Sequence, residues 1–186
     1  EVDPLWKEIE SQGLAVGIHG TSTGPAEDDL TRKFLDHPAG RVVQRTLVFP
    51  WQLMSSMSGV LVSGVIQRFP DIRIAFLEGN CGWLPWMMYR LDEQWEKHGS
   101  MIIDYKPSEY FLSNCYISVD VDEELVVDVI QHYGDDNIVL STDYPHYDSA
   151  FPEAINTFLG MDLSEHAKRK ILWDNCERFY GDKISH

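Results

Sequence analysis

Three short apolar runs in this sequence each end on a side chain able to bind a cation or move a proton. Ala15-Val16-Gly17-Ile18 runs into His19, Ile72 to Leu77 into Glu78, and Ile138 to Thr142 into Asp143. A neutral imidazole ligates divalent metals, and a carboxylate can ligate a metal or act as a general base. In parallel βα architectures, sites assemble where the strands end, at the carboxyl edge of the sheet. A His, a Glu and an Asp at three such ends predict one polar cluster. His146, in the same loop as Asp143, is placed to touch a substrate. Trp83, just past the turn Gly79-Asn80-Cys81-Gly82, could wall a pocket for an aromatic acid.

Each residue also has a plainer reading. His19 could bond a neighbouring loop, Asp143 could cap the turn at Tyr144-Pro145, Glu78 could cap Gly79-Asn80, and Trp83 could pack in the core. Nucleophilic alternatives are weaker. Cys81 has no legible base beside it, and Ser141 lacks the Gly-x-Ser-x-Gly elbow.

The elements that would position these residues alternate. Helical segments are expected over residues 4–12, 28–36, 51–68, 84–98, 122–132, 152–160 and 164–178, and strands over 14–19, 72–78, 115–120 and 137–143, with a loop over 20–27. In the segment 51–68, Leu53, Met54, Met57, Leu61 and Val65 recur at helical spacing. Ser164 reads as the cap of the last helix and Gly181 as its stop. Repeated βα units imply a parallel sheet with helical crossovers. About four such units fit an open sheet or half of an eight-stranded barrel, in an α/β chain read as one domain over 1–186.

Bulk properties narrow the function. A net charge of -15 disfavours partners with phosphate backbones, so no nucleic acid is expected. No apolar run is long enough to span a bilayer, and no membrane association is expected. The three cysteines form no disulfide framework, which fits a reducing, cytoplasmic setting.

The stretch from Ser63 through Arg68-Phe69-Pro70-Asp71 to Phe76-Leu77-Glu78-Gly79-Asn80-Cys81-Gly82-Trp83-Leu84-Pro85 resembles the amidohydrolase-related family. So do Ser141-Thr142-Asp143-Tyr144-Pro145-His146 and the closing Lys170-Ile171-Leu172-Trp173-Asp174-Asn175-Cys176-Glu177-Arg178-Phe179-Tyr180-Gly181. The resemblance implies the C-terminal half of a (β/α)8 barrel, strands five to eight, from metal-dependent enzymes that hydrolyse bonds or decarboxylate aromatic or unsaturated acids. It implies that His19 and Asp143 are metal ligands and that Asp143 also handles a proton. Glu78 falls where many relatives carry a histidine, and is read as a catalytic or His19-orienting residue. The family's first-strand His-x-His or Glu-x-His pair has no counterpart here. The leading expectation is therefore an amidohydrolase-type hydrolase of a small molecule, present as a C-terminal fragment. Its cofactor would be a divalent metal, zinc or else manganese. The missing N-terminal half or a second copy would complete it. A carboxy-lyase and a non-catalytic half-barrel are the alternatives.

Overall fold

The structure, a computed structural model, describes residues 2–20, 36–99, 102–147 and 149–181. The loop expected over 20–27 and the helix expected over 28–36 fall almost wholly outside them, as does His186.

Four strands, β1 (Ala15–His19), β2 (Arg73–Leu77), β3 (Cys115–Val119) and β4 (Ile138–Leu140), form one parallel sheet among the described residues. They lie side by side in chain order. A doubly wound sheet reverses its strand order at a switch point; this sheet does not, and sequential winding is that of a barrel wall. The architecture is a partial barrel. Helices α1 (Asp3–Ser11), α2 (Gly40–Val43), α3 (Phe49–Val62), α4 (Val65–Arg68), α5 (Leu84–Gln94), α6 (Pro107–Asn114) and α7 (Val126–Tyr133) come before β4. Helices α8 (Ala154–Leu159), α9 (Glu165–Arg169) and α10 (Asn175–Tyr180) follow it. Single π turns sit at Gln44–Val48, Trp95–Gly99 and Lys170–Asp174.

Alternation along the strands separates two faces. Ile74, Phe76, Ile117, Val119 and Ile138 pack outward against Leu53, Met57, Met88, Phe111 and Val126 of the helices. Ala75, Tyr116 and Val139 point the other way and meet Phe179 of α10. β3 is buried along its whole length, as a central parallel strand should be.

At the amino edge of the sheet one device recurs. Asn114 Nδ2 donates to the carbonyls of Pro70 and Ile72 at 2.7 and 2.9 Å, just before β2. Asn137 Nδ2 reaches Leu112 and Cys115 at 3.0 and 2.7 Å, where β3 begins. Asn175 Nδ2 reaches Asp135 and Ile138 at 2.7 and 2.6 Å, where β4 begins. All three asparagines are buried, and each donates to two backbone carbonyls at a strand junction.

The expected helix over 51–68 is two helices, because Gly64 takes a left-handed φ of 71°. Helix α6 went unread in the sequence, although Pro107 opens it and Glu109 accepts the Lys106 N–H at 2.9 Å. The helix expected from 122 begins only at Val126. Its acidic lead-in is a turn, because Glu123 turns back to accept the N–H groups of Cys81 and Gly82 at 2.8 and 2.9 Å. Gly82 must be small there: a Cβ would lie 2.4 Å from Leu125 Cδ1. The last helical segment is α9, a π turn and α10 in succession. Ser164 Oγ accepts the Ala167 N–H at 3.1 Å at its start, and Gly181 ends it at φ 66°.

Candidate active site

β1 and β2 end level, with His19 paired to Leu77, so His19 and Glu78 emerge side by side at the carboxyl edge. His19 Nε2 contacts Glu78 Oε2, and its Nδ1 contacts the Gly20 carbonyl. The carbonyl can only accept, so Nδ1 carries a proton and donates. Phe49 of α3 holds the imidazole edge-on, with ring centroids 6.5 Å apart. Glu78 is fixed in turn by its own N–H, which donates to Ser118 Oγ on β3 at 2.9 Å.

Among the described residues, the non-glycine positions with positive φ are Glu78, Asn80 and Asp143, at 59°, 60° and 54°. Glu78 follows directly on β2, and Asn80 and Asp143 lie in the turns after β2 and β4. Asn and Asp enter this region more readily than other L-residues, so Glu78 bears the clearest strain, of the kind that concentrates at functional sites.

His19, Glu78 and Asp143 line one cleft of about 340 Å³, floored by Ser118 and Val139 and walled by Phe179 and Tyr180 of the C-terminal helix. A smaller cavity of about 220 Å³ shares Glu78 and Asp143 and adds Arg45 and Asp120. His146 Nδ1 lies 3.6 Å from Asp143 Oδ2, beside the cleft rather than in its lining. Trp83 lies farther off. Its indole N–H donates to the Gly79 carbonyl at 2.8 Å and its ring packs on the outer core, so it braces the turn after Glu78. A larger groove of about 610 Å³ lies on the helical exterior, between Trp86, Tyr89 and Lys106, and none of the strand-end residues lines it.

Asp120 is the functional candidate that sequence reasoning passed over. The signal was the one that marked the other three: an apolar run, Cys115 to Val119, ending on an acid. Asn80 Nδ2 donates to its Oδ2 at 3.0 Å. Burial, then the nearby charge of Glu123, push its pKa up to about 6 from 3.8. Cys81 is fully buried, and burial together with Glu123 pushes its thiol up, away from a nucleophilic thiolate. No group of three His, Cys, Asp or Glu side chains close enough to hold a metal occurs among the described residues. His19 and Asp143 suit a divalent cation in donor chemistry, and they open on the same cleft, but they are two donors where metal sites use three or more.

The sequence model described as Amidohydrolase matches residues 1–181. The chain belongs to the amidohydrolase family. This family member is 25% identical over 185 residues to gamma-resorcylate decarboxylase from Polaromonas sp., a match covering 95% of this chain and 53% of that one. It is also 25% identical over 191 residues to 2-amino-3-carboxymuconate-6-semialdehyde decarboxylase from Dictyostelium discoideum, covering 96% and 48%. The chain thus spans about half the length of these curated relatives. In three dimensions it matches dihydroxybenzoic acid decarboxylase from Polaromonas sp., solved with bound manganese and the inhibitor 2-nitroresorcinol, at a TM-score of 0.77 and 23% identity. That match covers 98% of this chain and 54% of the other, and establishes the shared fold. These relatives are decarboxylases, and they favour the carboxy-lyase alternative over the hydrolase expected first. No helix among the described residues is long and apolar enough to cross a membrane.

Proposed function

We propose that this chain carries the C-terminal part of the site of a metal-dependent decarboxylase acting on a small aromatic or unsaturated acid. The observation that carries the reading is the shared cleft of His19, Glu78 and Asp143 at the carboxyl edge of the sheet. The decarboxylases among the relatives supply the reaction class.

In this reading His19 Nε2 and the Asp143 carboxylate hold a divalent cation, manganese by analogy with the Polaromonas structure and zinc as the other choice. Such a cation supplies Lewis-acid charge for substrate oxygens. Further donors come from a covering half or from a second copy, since two are too few. Glu78, whose carboxylate meets the same Nε2, would stand beside the cation as an acid or base, while the Gly20 carbonyl at Nδ1 orients the His19 ring. Asp143, next to the reacting molecule, holds and returns the proton, because loss of carbon dioxide leaves a carbanion that must be protonated. His146, 3.6 Å from the Asp143 carboxylate, faces incoming substrate. Trp83 acts at one remove, by bracing the Gly79 turn.

Manganese titration of the purified chain, followed by electron paramagnetic resonance, tests the reading. Binding should weaken at least about tenfold in both His19→Ala and Asp143→Ala. Equal binding by wild type and both variants would refute the assignment. Carbon dioxide evolved from a hydroxybenzoate by the completed enzyme separates decarboxylation from hydrolysis.

A further inference from the structure

The cleft holds a surplus of negative charge. Glu78, Asp120, Asp122 and Asp143 all line the smaller cavity, and Glu78 and Asp143 line the larger as well. An organic acid entering here meets several carboxylates, an arrangement that repels anions and that a divalent cation on His19 and Asp143 would offset only in part. The one Lys or Arg among the lining residues of these two cavities is Arg45.

Arg45 is held in place from two directions. It belongs to the π turn Gln44–Val48 that feeds directly into α3, and such turns occur often at functional sites. Its guanidinium lies over the Phe49 ring, 5.7 Å from the centroid. Phe49 is the same buried ring that sets the edge of His19. One aromatic side chain therefore fixes the imidazole of the larger cavity and the guanidinium of the smaller one. One turn earlier, Arg41 donates to the Tyr147 hydroxyl and ties this segment to the loop after Asp143.

We infer that Arg45 is the residue that selects an acid: its guanidinium holds a carboxylate of the substrate at the mouth of the cleft and offsets the surrounding acidic side chains. A planar, permanently charged fork suits a carboxylate in two-point contact, which a lysine cannot reproduce. The inference rests on the decarboxylase reading, and it adds the residue that distinguishes an acid from the neutral ring left after its carboxylate departs.

Two probes separate these claims: 2,6-dihydroxybenzoate, and resorcinol, the same ring without the carboxylate. Binding of each to the purified chain is measured by calorimetry or ligand-observed NMR, with and without manganese. Arg45→Gln should weaken the acid about tenfold or more and leave resorcinol within about twofold, while Arg45→Lys falls between wild type and Arg45→Gln. The exposed position of Arg45 predicts an unchanged melting temperature, which excludes a folding defect as the cause. If Arg45→Gln binds the acid like wild type, or loses both probes in parallel, the role of Arg45 is wrong and the decarboxylase reading stands. If the manganese-loaded wild type binds neither probe, the decarboxylase reading fails and takes this inference with it.

Discussion

Asp120 offers a quantitative handle on the electrostatics of the cleft. Its carboxyl is raised from 3.8 to about 6, chiefly by burial and then by the charge of Glu123, with Asp122 and Asp143 adding to the rise and Asn80 opposing it. A raised folded-state pKa means that the folded chain binds this proton more tightly than the unfolded chain does. The stabilisation that proton confers is complete below about pH 4 and is lost as the pH climbs through about 6. Above that, the folded state carries a charged carboxylate it would shed. The gap between 3.8 and about 6 corresponds to at most about 3 kcal/mol, and solvent screening of this partly exposed group reduces it to about 1–2 kcal/mol. Asp120→Asn removes the charge and keeps an oxygen to accept the Asn80 amide. The variant should therefore be more stable than wild type by about 1–2 kcal/mol at pH 8, with the advantage shrinking towards zero near pH 4. Urea denaturation of both proteins at pH 4, 5, 6, 7 and 8, in chelator, reads this, because titrating groups away from Asp120 cancel in the difference. A difference that stays flat across that range, or a variant destabilised at pH 8, would refute the assignment.

Two further outcomes follow from buried hydrogen bonds. Glu123→Ala leaves the N–H groups of Cys81 and Gly82 without their acceptor and should cost about 2–4 kcal/mol in urea melts, whereas Glu123→Gln, which keeps an acceptor oxygen, should recover at least half of that loss. Asn114→Ala, Asn137→Ala and Asn175→Ala each remove the donor from two backbone carbonyls, one bond of each pair buried and the other partly buried, and should each cost about 2–3 kcal/mol, while leaving manganese binding unchanged. A loss of metal affinity in any of the three at folding pH would show that the amino edge and the cleft are coupled.

The parts of this molecule legible in the sequence are those written in local patterns. The four strands are short apolar runs of the length that buried parallel strands require, and each was found within a few residues of its true bounds. The cap at Ser164 and the stop at Gly181 are single-residue signals, and both operate. What escaped depends on long-range partners. Glu123 reads locally as the first turn of a helix; it is instead drawn to a turn about forty residues earlier in the chain by two backbone donors with no other acceptor. Gly64 sits in an unbroken apolar periodicity and splits it by conformation alone. Within the cleft, His19, Glu78 and Asp143 follow from strand-end position, but Arg45 lies on a π turn with no sequence signature, and its role emerges only from Phe49 beneath it.

The two edges of the sheet divide the work. At the amino edge three buried asparagines, one per strand junction, saturate carbonyls with short, neutral hydrogen bonds. At the carboxyl edge three non-glycine residues sit in a left-handed conformation, and a carboxylate, Asp120, is held above its ordinary pKa. A chain optimised for stability alone would place glycine at 78, 80 and 143 and an amide at 120. Glu78, Asp120 and Asp143 line the cleft or the cavity beside it, and Asn80 bonds to Asp120; unfavourable choices localised in this way are retained when the side chains themselves are needed there. Glycine at 78 or 143 would relieve its φ and remove a carboxylate from the cleft. Glycine at 80 would free Asp120 of its hydrogen bond. The cost is therefore borne by the groups that give the cleft its charge, which ties the unfavourable backbone to the chemistry proposed for it.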